Sequence, residues 1–119
     1  MYSGYKLTDK SKRRLEILYP PTYSTFIGDH ITKIFGVSKD HPLPEQPNDV
    51  KVIGYYCKDG LEFFTVAVDN AVDRPKGGQY HLTWSIDKSM NVKPVHSNDH
   101  VDEATNVYPI TISVIPFIE

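Results

Sequence analysis

The sequence predicts an α+β domain, with one amphipathic helix packed on a mainly antiparallel sheet, and residues 1–119 as a single unit. Three observations predict it. Only one segment, TDKSKRRLEIL, combines helical periodicity with a start and a stop signal. Five apolar runs of strand length follow, at 29–36, 50–57, 61–69, 79–87 and 107–116. The stretches between them are rich in turn residues, and KDG between two apolar runs is a hairpin signal.

The helix is justified by its ends and its stripe. Thr8 is placed to cap it, Leu7, Ser11, Leu15 and Leu18 share one side, and Pro20 with Pro21 stops it. Its outer face carries Lys10, Lys12, Arg13 and Arg14, which a solvated helix face explains and a phosphate-contacting surface rivals. The loop SKDHPLPEQPND contains three prolines and is too stiff and too poor in donors to pair in a sheet.

Two strands repeat a tripeptide. In YHLTWSID the alternation sends Tyr80, Leu82, Trp84 and Ile86 to a core face, and His81, Thr83, Ser85 and Asp87 to a wet one. In DHITKIFG the same parity puts His30 and Thr32 on one side and Ile31, Lys33 and Phe35 on the other. Each histidine therefore shares a face with a threonine roughly 6 to 7 Å along the strand. That pairing suits phosphate ester chemistry. An imidazole takes or gives a proton near neutral pH, and an adjacent hydroxyl donates a hydrogen bond to a non-bridging phosphate oxygen.

The bulk numbers narrow the classes. A formal charge of -2 gives no global basic field of the kind that coats duplexes. The lone cysteine, Cys57, lies in the apolar run VKVIGYYC, where a thiol is expected as a small buried hydrophobe. It allows no internal disulfide and suits a reducing compartment. With no signal-peptide pattern and no membrane-spanning run, the expectation is a soluble, intracellular, cytoplasmic protein. His96, Asp99, His100 and Asp102 have mixed spacing and no cysteine support, so neither a metal nor another cofactor is expected. His41 has no identifiable partner in the sequence.

The two tripeptides resemble the signature of the 2H phosphoesterase superfamily, His-x-[Ser/Thr] followed by an apolar residue and repeated once per lobe. Trp84 fits that last place and Lys33 departs from it. The run YPPTYSTFIGDHITKIFGV is similar to the approach to the first motif in small viral and microbial members. The run HLTWSIDKSMNVKPVHSNDHV resembles the second motif and following loop of the cyclic phosphodiesterase domain of fungal tRNA ligases, through Val92-Lys93-Pro94 and Ser97-Asn98-Asp99.

The resemblance implies a compact 2H phosphoesterase-like fold with a trimmed second lobe, in which SNDHVDEATN is expected to form a short second helix capped by Ser97 or Asn98. It implies opening of a 2′,3′-cyclic phosphate at an RNA end to a 2′-phosphate and a 3′-hydroxyl, without a metal. His30 and His81 would be the acid–base pair, in an order the sequence does not set, with Thr32 and Thr83 holding the phosphate. Lys93 would steady the substrate, or serve only the loop edge, and Tyr23 is the aromatic best placed in sequence to stack on a terminal base. An RNA kinase and ligase would be separate partners. Two rivals stand beside this reading: a phage-type 2H hydrolase of cyclic oligonucleotide signals using the same four residues, and a non-catalytic RNA-binding module that works through the basic helix.

Overall fold

The computed structural model, which describes all residues from Met1 to Glu119, has eight strands: the five expected regions supply six of them and two lie outside those regions. In chain order these are β1 (Tyr2–Leu7), the helix α1 (Asp9–Leu18), β2 (Thr25–Phe26), β3 (His30–Phe35), β4 (Val50–Lys58), β5 (Leu61–Val68), β6 (His81–Ile86), β7 (Thr105–Thr111) and β8 (Val114–Ile118). Short 3-10 turns occupy Lys88–Met90, Pro94–Asp99 and Val101–Glu103. Every pairing is antiparallel, in the order β7-β4-β5-β6-β3-β1-β8, with β2 beside the end of β6. The class is α+β, with one main helix on a curled antiparallel sheet.

The curl follows from one link. The expected strand 107–116 breaks at Ile112 and Ser113, and its halves pair with β4 and β1, at opposite ends of the sheet path. Two residues cannot cross a flat seven-strand sheet at roughly 4.8 Å per strand, so the sheet bends until its ends meet. The helix starts at that junction. Thr8 N donates to Ser113 O at 3.1 Å and Ser113 N donates to Ser11 Oγ at 2.8 Å. Thr8 caps the helix as expected, its hydroxyl accepting from Ser11 N at 3.3 Å. Leu15 is fully buried, whereas Leu18 is 55% exposed because the chain leaves the helix for the prolines there.

The first strand escaped the sequence reading because Gly4 interrupts its alternation. The glycine is required: a Cβ there would lie 2.2 Å from the Ile31 carbonyl oxygen on β3. The KDG hairpin is as expected, with Asp59 and Gly60 both at positive φ between β4 and β5. The second helix is not α-helical. Pro94 opens a 3-10 turn after Lys93, and the segment is too short of i to i−4 partners to continue. Cys57 is exposed rather than buried, since the alternation of β4 buries Tyr56 and turns the next side chain outward.

Both faces of the central strands are packed. Tyr5, Leu15, Ile31, Phe64, Leu82 and Trp84 belong to the main core, and Tyr56, Leu61, Phe63 and Ile86 form a second cluster. Burying Phe63 and Phe64 completely contributes about 1.5–3 kcal/mol each. Glu62 is also fully buried, and accepts from Thr22 N at 3.0 Å, from Thr22 Oγ1 at 2.9 Å and from the hydroxyls of Tyr55 and Ser85. That carboxylate pins the proline-bearing link after α1 to the sheet. No helix is long and apolar enough to cross a membrane.

Candidate active site

Two β-bulges decide which side chains share the site. On β3, Thr32 pairs with Gly4 and Ile34 with Ser3, so Lys33 is an extra residue and parity resets after it. Phe35 consequently falls on the face of His30 and Thr32, not opposite them as strict alternation predicts. On β6, Phe63 pairs with Thr83 and Glu62 with Ser85, so Trp84 is the extra residue. Ile86 therefore joins Phe63 in the second cluster, and Ser85 turns to the buried Glu62 instead of solvent.

Upstream of both bulges the expected parity holds. Ile31 pairs with Leu82 across β3 and β6, which sets Thr32 level with His81 and His30 level with Thr83. Each histidine faces the other strand's threonine. Diagonal neighbours on such a pair sit about 7–8 Å apart, so the two imidazoles flank a space of phosphate size. All four side chains line one groove of about 260 Å³. Tyr2, Ile27 and Phe35 form its other strand-side walls, and Pro94, Val95 and Asn98 of the 3-10 turn close one side.

The two histidines are held differently. His81 Nδ1 lies 3.0 Å from Gln79 O, and since a carbonyl only accepts, Nδ1 carries the proton and donates. Nε2 is left without a protein partner. Burial pushes the His81 pKa below the ordinary 6.5, and the positive charges of Arg74 and His30 push the same way against the Gln79 hydrogen bond. His30 Nδ1 donates to Asp29 Oδ2 at 3.0 Å, and its side chain is 27% exposed. Its ring is packed by Tyr2 at 4.8 Å and Phe117 at 5.7 Å between centroids.

The threonines differ as well. Thr83 Oγ1 is 2.9 Å from Ser97 Oγ and 3.3 Å from Pro94 O, so its hydroxyl is committed in the resting site. Turning toward a phosphate means giving up the longer Pro94 bond while Ser97 donates to it. Thr32, though buried, makes no side-chain hydrogen bond within the protein. Thr32→Val is expected to lower kcat by about 10²-fold or more at unchanged melting temperature. Thr83→Val should also lower the melting temperature, because Ser97 loses its partner; turnover and thermal denaturation of both variants check this.

Lys93 and Tyr23 are not brought to the groove. Lys93 is exposed and its backbone N–H donates to His96 Nδ1, an end-of-turn role. Tyr23 is held away from the histidines by Ser85 Oγ, which accepts from its N–H, and by Cys57 Sγ at 3.9 Å from its hydroxyl. The rings that do line the groove are Tyr2 and Phe35, the latter 59% exposed. A missed bulge hid Phe35, and an interrupted strand hid Tyr2. His96, Asp99 and His100 border a separate small hollow with Tyr56, and no three His, Cys, Asp or Glu side chains are arranged to hold a metal ion.

Searches of protein-family models, of curated proteins and of solved structures find no match to this chain.

Proposed function

We propose that the protein is a phosphodiesterase of the 2H type that opens 2′,3′-cyclic phosphate ends, with His81 as general base and His30 as general acid. The observation that carries this reading is the convergence of both His-x-Thr pairs, from antiparallel neighbours, on one groove. The fold that goes with it is a compact 2H phosphoesterase-like domain whose second lobe is trimmed to 3-10 turns.

The assignment of roles follows from the partners. His81 is desolvated and tautomerically fixed by Gln79, so a neutral Nε2 faces the groove, the form a base needs. His30 is oriented by Asp29 at its Nδ1 and, with His81 as the base, takes the role of acid. In the reaction, water loses a proton to His81 Nε2 as its oxygen bonds to phosphorus, and the bond from phosphorus to the 3′ oxygen breaks. His30 passes its Nε2 proton to that oxygen, leaving a 2′-phosphate and a 3′-hydroxyl. Proton exchange with solvent resets both rings. Thr32, and Thr83 after its hydroxyl turns, donate to the non-bridging oxygens as negative charge builds there.

Turnover of 2′,3′-cyclic AMP to the 2′-phosphate, unchanged by EDTA, is the expected result, and no turnover of any 2′,3′-cyclic nucleotide overturns the reading. The pH dependence follows from the sign of the His81 shift. A base is active when neutral, and the neutral form prevails above a pKa that burial has lowered. The acidic limb of kcat/KM should therefore fall below pH 6.5. Removing the Arg74 charge should move that limb upward, which a pH profile of Arg74→Met measures.

A further inference from the structure

Beside the groove lies a second, smaller hollow lined by Lys33, Ile34, Phe35, Arg74, Lys76 and Gly77. Phe35 belongs to both, as the wall between them. Three cations and no carboxylate line this hollow, and none of the three makes a salt bridge. Unneutralised charge of this density, on a chain whose net charge is -2, calls for an anion.

Arg74 is placed rather than loose. Its N–H donates to Gly78 O at 2.8 Å, its Nε donates to Gly77 O at 3.0 Å, and its guanidinium lies 5.8 Å from the Phe35 ring centre. The loop wraps it so closely that a Cβ on Gly78 would sit 2.4 Å from Nη2. Nη2 reaches Asn98 Oδ1, a groove residue, by a long 3.4 Å bond, and Nη1 is enclosed with no acceptor. An enclosed guanidinium nitrogen without a partner is costly. A phosphate oxygen entering the hollow relieves that cost once the guanidinium gives up the weak Nη2 bond to Asn98 and turns Nη1 toward it. The bulge that makes Lys33 an extra residue on β3 also swings Phe35 into the groove, so one local irregularity shapes both sites.

We infer that this hollow is a second phosphate subsite, which takes the phosphodiester next to the reacting phosphate, with Phe35 against the intervening nucleoside. The substrate is then an oligonucleotide with at least two phosphates rather than a mononucleotide. The inference rests on the phosphodiesterase reading of the groove. The same diester chemistry comes from two sources, a linear RNA ending in a cyclic phosphate and a cyclic dinucleotide.

The test compares 2′,3′-cyclic AMP, an ApA dinucleotide ending in a 2′,3′-cyclic phosphate, and cyclic di-AMP, with the wild type and the double variant Lys33→Ala/Lys76→Ala. The wild type should favour one of the two-phosphate substrates by about tenfold or more in kcat/KM. The variant should lose most of that preference while its turnover of 2′,3′-cyclic AMP is unchanged. The better of the two names the source. Equal use of one- and two-phosphate substrates by the wild type, or an equal loss on both in the variant, overturns the subsite. If nothing is turned over, the phosphodiesterase reading fails and binding decides the subsite separately. The affinity for ApA carrying a 3′-phosphate should then lose about 1.4 from its log–log salt slope in the variant, and an unchanged slope overturns it.

Discussion

His81→Ala and His30→Ala are each expected to lower kcat/KM for 2′,3′-cyclic AMP by about 10²- to 10⁴-fold, the usual worth of one general acid or base. The two losses should not add. Both rings act on the same displacement, one on the attacking oxygen and one on the departing oxygen, so removing either leaves the other without its step. The double variant should therefore fall little below the weaker single one. A pH profile separates the roles: His81→Ala loses the rise of rate on the acidic side, because no base remains to be deprotonated there. Neither ring belongs to the hydrophobic clusters, so circular dichroism and melting temperature should stay near wild type. His41 lies outside the groove, and His41→Ala serves as the control with unchanged turnover. Turnover retained in either active-site variant overturns the assignment.

The part of this site that alternation alone specifies was legible in the sequence. His30, Thr32, His81 and Thr83 lie upstream of both bulges, so a period of two puts each pair on one face. What lies beyond a bulge was not legible. Lys33 and Trp84 each occupy one extra place, and each shifts every later side chain on its strand to the other face. Phe35, Ser85 and Ile86 were misplaced for that single reason. Arg74 was invisible for another. It comes from a loop between strands, and only folding of the β5–β6 connection brings its charge to the groove. The split of 107–116 was hidden because its apolar run is continuous in composition, and the break is imposed by pairing at opposite sheet ends. Tyr23 is suggested by nearness in sequence to the first motif and Lys93 by the resemblance of its loop, and neither sets which way a side chain points.

The other large effect concerns stability rather than catalysis. Glu62→Ala is expected to destabilise the fold by about 3 kcal/mol or more, a fall of about 10 °C in melting temperature for a chain of this size. Glu62 is the shared acceptor of four enclosed or half-enclosed donors, Thr22 N, Thr22 Oγ1, Tyr55 Oη and Ser85 Oγ. Truncation leaves those donors facing one another across a cavity, and each unsatisfied buried donor costs about 1–3 kcal/mol. Glu62→Gln should recover only part of the loss. The amide keeps the shape but turns one acceptor into an NH2 group, which then meets a donor wherever it is placed. The consequence extends to the active site by a short route. Ser85 accepts from Tyr23 N–H at 3.1 Å, and the same link leads through Ile27, whose N–H donates to Trp84 O at 2.8 Å, to Gly28 and His30. A loosened link thus lets the first histidine drift from the second while the β5–β6 pair that carries His81 stays in register. Urea denaturation and kcat measured on the same Glu62→Gln sample check this: stability and turnover should fall together. A variant as stable as wild type shows that the carboxylate does not hold the link.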